Sequence, residues 1–308
     1  MASHTLWREL RERGSVWGMF LTAMVYRFFG RWLAEPLLCL VVAYFFLTDG
    51  RLRKSSAQYL SRVHGRPYGR RWIQVYRHCL SFARTSLDRL DVWTNRLEKY
   101  TFNYFGEAHL VRLRQEGKGA VLISAHLGSF DTLRALAKRH NAKVHVLTDF
   151  RNSRRVSSVL KRFCPGMDEG VVAYDTTSIS TIFELQQAVR RGEFVALLGD
   201  RIAAETARGA GRVSSAIFLG EKALFPQAAF IFAAHMECPV YLMFGLRRSV
   251  HRYDLYVEPF ADPVELPDAS RENALANYIA AYASRLEHYC RLYPLQWFNF
   301  YDFWRQPS

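Results

Sequence analysis

The feature that most constrains this chain is a pair of short, uninterrupted apolar runs, Ala120-Val121-Leu122-Ile123-Ser124 and Phe194-Val195-Ala196-Leu197-Leu198. Each is too short for a core helix and apolar at every position rather than at every second one. A strand covered on both faces carries that pattern. Helical patterns flank both runs: Glu107–Gln115 ahead of the first, closed by Gly117-Lys118-Gly119, and Ser180–Arg191 ahead of the second, closed by Gly192. Between and beyond them the sequence predicts a helix from Asp131 to Arg139, a strand over Lys143–Thr148, a helix over Asn152–Phe163 and a short strand over Val171–Ala173. A helix over Pro226–Met236, strands over Val240–Leu246 and Leu255–Glu258, and a terminal helix over Arg271–Leu292 follow. Alternating elements of this kind predict an α/β fold with a mostly parallel central sheet flanked by helices.

The first hundred residues differ. They hold 17 Lys and Arg against 7 Asp and Glu, whereas the rest of the chain is nearly balanced, although the whole carries a formal charge of +14. After Arg8, Glu9, Arg11, Glu12 and Arg13 the chain runs apolar from Val16 to Phe29, interrupted by Arg27, and again from Leu37 to Leu47 beyond a break at Glu35-Pro36. Each run is shorter than the ~20 residues that cross a bilayer. A single tilted span would bury Arg27, Arg31 and Glu35 at a cost of a few kcal/mol. The expectation is a kinked helical hairpin lying in the membrane interface, with the arginines reaching headgroups. From Arg51 to Arg77 eight basic residues occur with no acidic one, the composition an anionic membrane surface attracts. A solvated face and nucleic acid are the other readings of this block. An amphipathic helix over Tyr68–Tyr100 follows. The expected organisation is an anchoring segment over 1–50 and a catalytic domain over 51–308, made of a basic helical region (51–100) and an α/β core (101–308). Five scattered cysteines without a Cys-x-x-Cys pair point to a reducing compartment.

Two strand exits carry candidate chemistry. Ser124-Ala125-His126-Leu127-Gly128-Ser129-Phe130-Asp131 leaves the first apolar run and Gly199-Asp200-Arg201 leaves the second, and ligands of open α/β sheets bind at the carboxyl ends of strands. An Asp near His126 would hold its tautomer while the other ring nitrogen takes a proton, and Asp131 is the expected partner. Gly128 permits close backbone approach, Ser129 is a candidate N-cap, and free amides at the helix start could meet an oxyanion. Arg201 suits a phosphate or carboxylate; Arg208 and Arg212 flank the glycines of a predicted mobile loop and could touch phosphate too. No Gly-x-Ser-x-Gly elbow, phosphate-binding loop, dinucleotide fingerprint or His-Glu-x-x-His occurs, so the sequence supports neither a serine hydrolase nor nucleotide, dinucleotide or metal chemistry. The tail, Pro294-Leu295-Gln296-Trp297 to Trp304, is strongly aromatic and reads as closing the core or facing lipid.

These motifs together resemble the bacterial lipid A biosynthesis acyltransferases of the lauroyl/myristoyl type. The likeness rests on Ala125-His126-Leu127-Gly128 with Asp131 five residues after the histidine, on Gly199-Asp200, on Gly211–Gly220 with its Phe-containing stretch, on Pro226–Leu246, and on Pro294-Leu295-Gln296-Trp297. The chain departs at Asp200-Arg201, where the family commonly has Asp-Gln, and looks closer to a divergent branch found with lipid-like pigment pathways. The resemblance implies acyl transfer from acyl carrier protein or coenzyme A to a hydroxyl of a lipid or glycolipid at the cytoplasmic face of the bacterial inner membrane. It implies His126 as general base with Asp131, Arg201 against an anionic group, and no bound cofactor or metal. Ala216–Ala234 would then line an acyl tunnel or simply pack the core. A thioesterase or lipid hydrolase, or a non-catalytic basic binding protein, are the alternatives from the residues alone.

Overall fold

The computed structural model describes residues 16–65, 72–94, 96–147, 171–174, 179–202 and 212–305. Three helices come first: α1 (Val16–Thr48), α2 (Gly50–His64) and α3 (Trp72–Trp93). The α/β part follows as β1 (Thr101–Phe105), α4 (Glu107–Gln115), β2 (Ala120–Ser124), α5 (Leu133–Arg139), β3 (Val144–Leu147), β4 (Val171–Tyr174), α6 (Ile179–Arg190) and β5 (Phe194–Leu198). Then come the hairpin strands β6 (Val213–Phe218) and β7 (Glu221–Pro226), α7 (Ala228–Met236), β8 (Val240–Ser249), β9 (Arg252–Ala261) and α8 (Arg271–Leu292).

Seven strands form one sheet in the order β1-β9-β8-β2-β5-β3-β4. Neighbours pair in parallel except β8 with β9, which form an antiparallel pair. The all-apolar runs sit where both faces are covered. Val121 and Ile123 of β2 join Val195 and Leu197 of β5 in the core beneath α6, α7 and α8. Ala120, Leu122, Phe194 and Ala196 join the opposite core with Leu110 and Leu113 of α4 and Leu133 and Leu136 of α5. The period of two thus divides one apolar run between two cores.

Several expectations are revised. The apolar N-terminus is one long helix whose kink falls at Gly30, with φ of 74° and ψ of −172°, rather than at Glu35-Pro36. Gly30 adopts a backbone conformation that other residues resist, and Pro36 is accommodated inside the helix. Arg31 and Glu35 do not reach outward. They lie against α3, where Arg31 meets Asp88 at 2.6 Å and Glu35 meets Arg84. The helix expected over Tyr68–Tyr100 is described from Trp72 to Trp93. Edge strand β1 and the hairpin β6–β7 are additions. Pro226 ends β7 rather than opening the following helix, and a 3-10 turn, Phe130–Thr132, precedes α5. The helix expected over Asn152–Phe163 lies outside the described residues, as does the glycine loop apart from Arg212. Cys39, Cys79, Cys238 and Cys290 are free thiols.

Candidate active site

The register of β2 with β5 pairs Ser124 with Leu198, so both chain exits emerge side by side. His126 follows β2 by two residues and Asp200 follows β5 by two. The Gly199 amide donates to the Ser124 carbonyl at 2.9 Å, as does the Tyr282 hydroxyl from α8. Asp200, fully buried, accepts from the His126 amide at 3.1 Å through both carboxylate oxygens and contacts the ring Nδ1 at 2.8 Å. The Trp297 indole donates to its second oxygen at 3.1 Å. A carboxylate so held keeps the proton of His126 on Nδ1 and leaves Nε2 as the acceptor. The imidazole is 28% exposed while Asp200 is wholly enclosed. Burial lowers the His126 pKa and the nearby Arg201 cation lowers it further, against the opposing pull of Asp200. Burial alone would raise Asp200; His126, through charge and hydrogen bonds, and Arg201 outweigh it and hold the carboxylate below its usual range.

Asp131 stands in a different setting from the one expected. Arg89 Nε donates to it at 2.5 Å and the Trp93 indole at 2.9 Å, so its carboxylate ties the turn after β2 to α3. The contact of His126 Nδ1 is with Asp200, a residue for which the sequence suggested substrate binding. Ser129 occupies an N-cap position without a side-chain capping bond. Its amide donates to the Gly245 carbonyl at 2.7 Å, and the Gly128 amide donates to the Gln296 carbonyl at 2.8 Å. Those two amides are therefore engaged in framing the turn rather than open to an oxyanion.

The tail completes the frame. Phe298 donates its amide to the His126 carbonyl at 2.8 Å, and Leu127 bridges to Trp297 in antiparallel fashion. Residues 296–298 thereby act as a short strand beside the catalytic turn. Gln296 locks it to β8, accepting from the Arg247 amide at 2.8 Å and donating to the Arg247 carbonyl at 2.7 Å. Trp297 is fully buried against Tyr59, Phe218, Phe303 and Trp304, so the tail closes the core, and Phe218, Phe225 and Phe230 of the Ala216–Ala234 stretch pack into the same aromatic cluster. Arg201 donates through Nη2 to the Phe298 carbonyl at 2.6 Å, while its Nε is buried without a hydrogen-bond partner. Arg212 is exposed, pairs with Glu272 at 3.5 Å and stands at the base of the β6–β7 hairpin. Arg208 lies outside the described residues. Sequence reasoning missed Arg89, Trp93 and the polar role of Trp297; only Trp297 left a signal, by standing in the closing motif.

Against this geometry, the family model for bacterial lipid A biosynthesis acyltransferases matches residues 5–306. The chain belongs to that family. It is therefore an acyltransferase of lipid biosynthesis, and α1 is its candidate membrane anchor. No curated protein matches the chain significantly.

Proposed function

We propose that the enzyme moves a fatty acyl group from the thioester of acyl carrier protein or coenzyme A to a hydroxyl of a lipid or glycolipid acceptor, with His126 as general base. The observation that carries this reading is the contact of His126 Nδ1 with a buried carboxylate, which leaves Nε2 the acceptor in a partly open imidazole. The acceptor hydroxyl oxygen attacks the thioester carbon and its proton passes to Nε2. The carbon–sulfur bond then breaks, and the departing thiolate takes the proton from the imidazolium. Asp200 orients the ring and offsets its transient charge. Arg201, close enough to depress His126 and with Nε unpaired, stabilises negative charge on the thioester oxygen. Asp131 positions the turn through Arg89 and Trp93.

The reading extends to the membrane. The segment Met24–Thr48 is long and apolar enough to cross a bilayer, yet its middle is fixed on α3. Tyr26, Ala34, Leu38 and Val42 pack inward with Leu80 and Leu87, while Phe28, Phe29, Trp32, Leu40 and Leu47 are all more than 60% exposed. A helix with one face on a protein and the other bare lies along the interface. That places the active site at the cytoplasmic face of the inner membrane, where an acyl donor and a lipid hydroxyl can meet.

The test is mass spectrometry of lipid extracts incubated with isotope-labelled acyl carrier protein thioester, comparing the natural chain with His126→Ala. Label entering a lipid with the natural chain alone is the expected result. Label released as free acid indicates a hydrolase, and undiminished transfer by a folded His126→Ala variant overturns the assignment.

A further inference from the structure

Beside the His126 turn lies a second cleft, of about 250 Å³, that the chemistry above does not use. Arg77, Ser81 and Arg84, one face of α3, form one wall; Arg247 and Arg248 at the end of β8 and Gln296 of the tail form the other. No acidic side chain lines it. Three of its arginines have carboxylate neighbours outside the cleft: Glu35 for Arg84, Asp88 for Arg247 at 2.9 Å and Asp254 for Arg248 at 3.3 Å. Glu35 and Asp88 are, however, shared with Arg31. Five guanidinium groups thus meet three carboxylates, and the excess is exposed in the cleft. Arg77 has no ion pair among the described residues, and the Nη2 of Arg247 is buried without a partner.

The surroundings select the anion. Arg84 and Glu35 join the rim directly to α1, three residues beyond Trp32, which is 86% exposed. Phe82 adjoins Ser81, and Trp72 and Ile73 stand one turn before Arg77, all exposed. A convergent set of planar cations bordered by bare aromatic and aliphatic side chains matches a ligand with an anionic head and an apolar tail. We propose that this cleft binds the phosphate of an anionic membrane lipid whose chains lie along the exposed faces of α1 and the start of α3. The bound headgroup would fix the height and rotation of the enzyme at the bilayer. The proposal rests on the interfacial placement of α1 and not on the reaction at His126.

The experiment is co-sedimentation of the full chain with vesicles of phosphatidylcholine alone and of phosphatidylcholine with phosphatidylglycerol, for the natural protein, Arg77→Glu and Arg51→Glu. Arg51 is exposed on the basic helix α2, so the same charge reversal there reports diffuse attraction. Binding of the natural chain to phosphatidylcholine alone tests the placement of α1 separately. The expected result is that Arg77→Glu removes the gain from phosphatidylglycerol, on the order of tenfold or more at roughly fivefold per charge, keeps binding to phosphatidylcholine, and exceeds the effect of Arg51→Glu clearly. Equal losses in the two variants would assign the gain to diffuse charge and overturn the site. A saturable effect of inorganic phosphate at constant ionic strength that Arg77→Glu abolishes, without any phosphatidylglycerol preference, would mark a free-phosphate site and overturn the lipid reading.

Discussion

At the scale of single residues, the active centre turns on which carboxylate serves the histidine. Asp200→Asn keeps the shape of the Asp200 side chain but removes the charge that holds Nδ1 protonated, so transfer should fall by on the order of 10²–10⁴. Asp131→Asn leaves the Nδ1 contact intact and weakens the tie to Arg89 and Trp93. It should cost less in turnover and show instead as a lowered melting temperature. Single-turnover rates and thermal melts of both variants, taken together, separate the two roles. Arg201 makes a prediction of opposite kind. Its charge holds the His126 pKa down, so the neutral base persists below the ordinary histidine range of about 6.5. Arg201→Gln removes that charge, and the histidine pKa rises. The acidic limb of the pH–rate profile should then move to higher pH, in addition to a fall in the plateau. A limb that stays in place would separate Arg201 from the base electrostatically.

At the scale of elements, the turn after β2 is defined by how closely it approaches β8. A Cβ on Gly245 would fall 1.8 Å from the Thr132 hydroxyl and 2.7 Å from the Ser129 carbonyl, and one on Gly128, where φ is +69°, would fall 2.1 Å from the Gly245 carbonyl. Gly245→Ala should therefore cost about 1–3 kcal/mol of stability and displace His126, with denaturant melts and transfer assays falling together. His78 joins three elements, from Ser56 of α2 at 2.8 Å to the Trp297 carbonyl at 3.0 Å. Burial lowers its pKa to about 4. The unfolded chain therefore takes up a proton at a higher pH than the folded one. Stability contributed by the neutral ring is complete above about pH 6.5 and declines as pH falls toward 4, by on the order of 3 kcal/mol in all. In His78→Gln the slope of unfolding free energy across that window should flatten.

The same elements show what the sequence made legible. β2 and β5 were readable because burial on both faces leaves no polar position, and α4 and α8 because caps and periodicity agree at both ends. Thr101–Phe105 and the β6–β7 hairpin escaped because edge strands mix exposed and buried positions without a continuous apolar run. His126 and Asp200 were each visible at a strand exit, but their pairing is a matter of register between β2 and β5, separated by 74 residues. Sequence proximity favoured Asp131 instead. The clustering of Arg77, Arg84, Arg247 and Arg248 was hidden for the same reason, since only the fold brings α3 to the end of β8.

At the scale of the whole molecule, α1 is joined to the enzyme and is not a detachable leash. Its inner face shares a core with Cys79, Leu80 and Leu87 of α3, and its Arg31 is a partner of Asp88, which is buried and also holds Arg247 and the Tyr253 hydroxyl. Deleting the helix would bare that core and take one cation from a buried carboxylate, a combination that costs several kcal/mol. A chain lacking α1 should therefore aggregate or lose its cooperative melt instead of yielding a soluble catalytic domain. Replacing Phe28, Phe29 and Trp32 together by Ser touches only the bare face. That variant should keep its melting transition within a few degrees, because surface changes away from packed contacts move stability little. It should nevertheless lose vesicle binding, since each buried aromatic or aliphatic side chain contributes about 1.5–3 kcal/mol. Circular dichroism melts beside vesicle sedimentation decide the matter. A well-folded, soluble chain without α1 would show that the anchor and the enzyme are separate bodies, and a triple variant that still sediments with vesicles would move the membrane-facing surface elsewhere on the molecule.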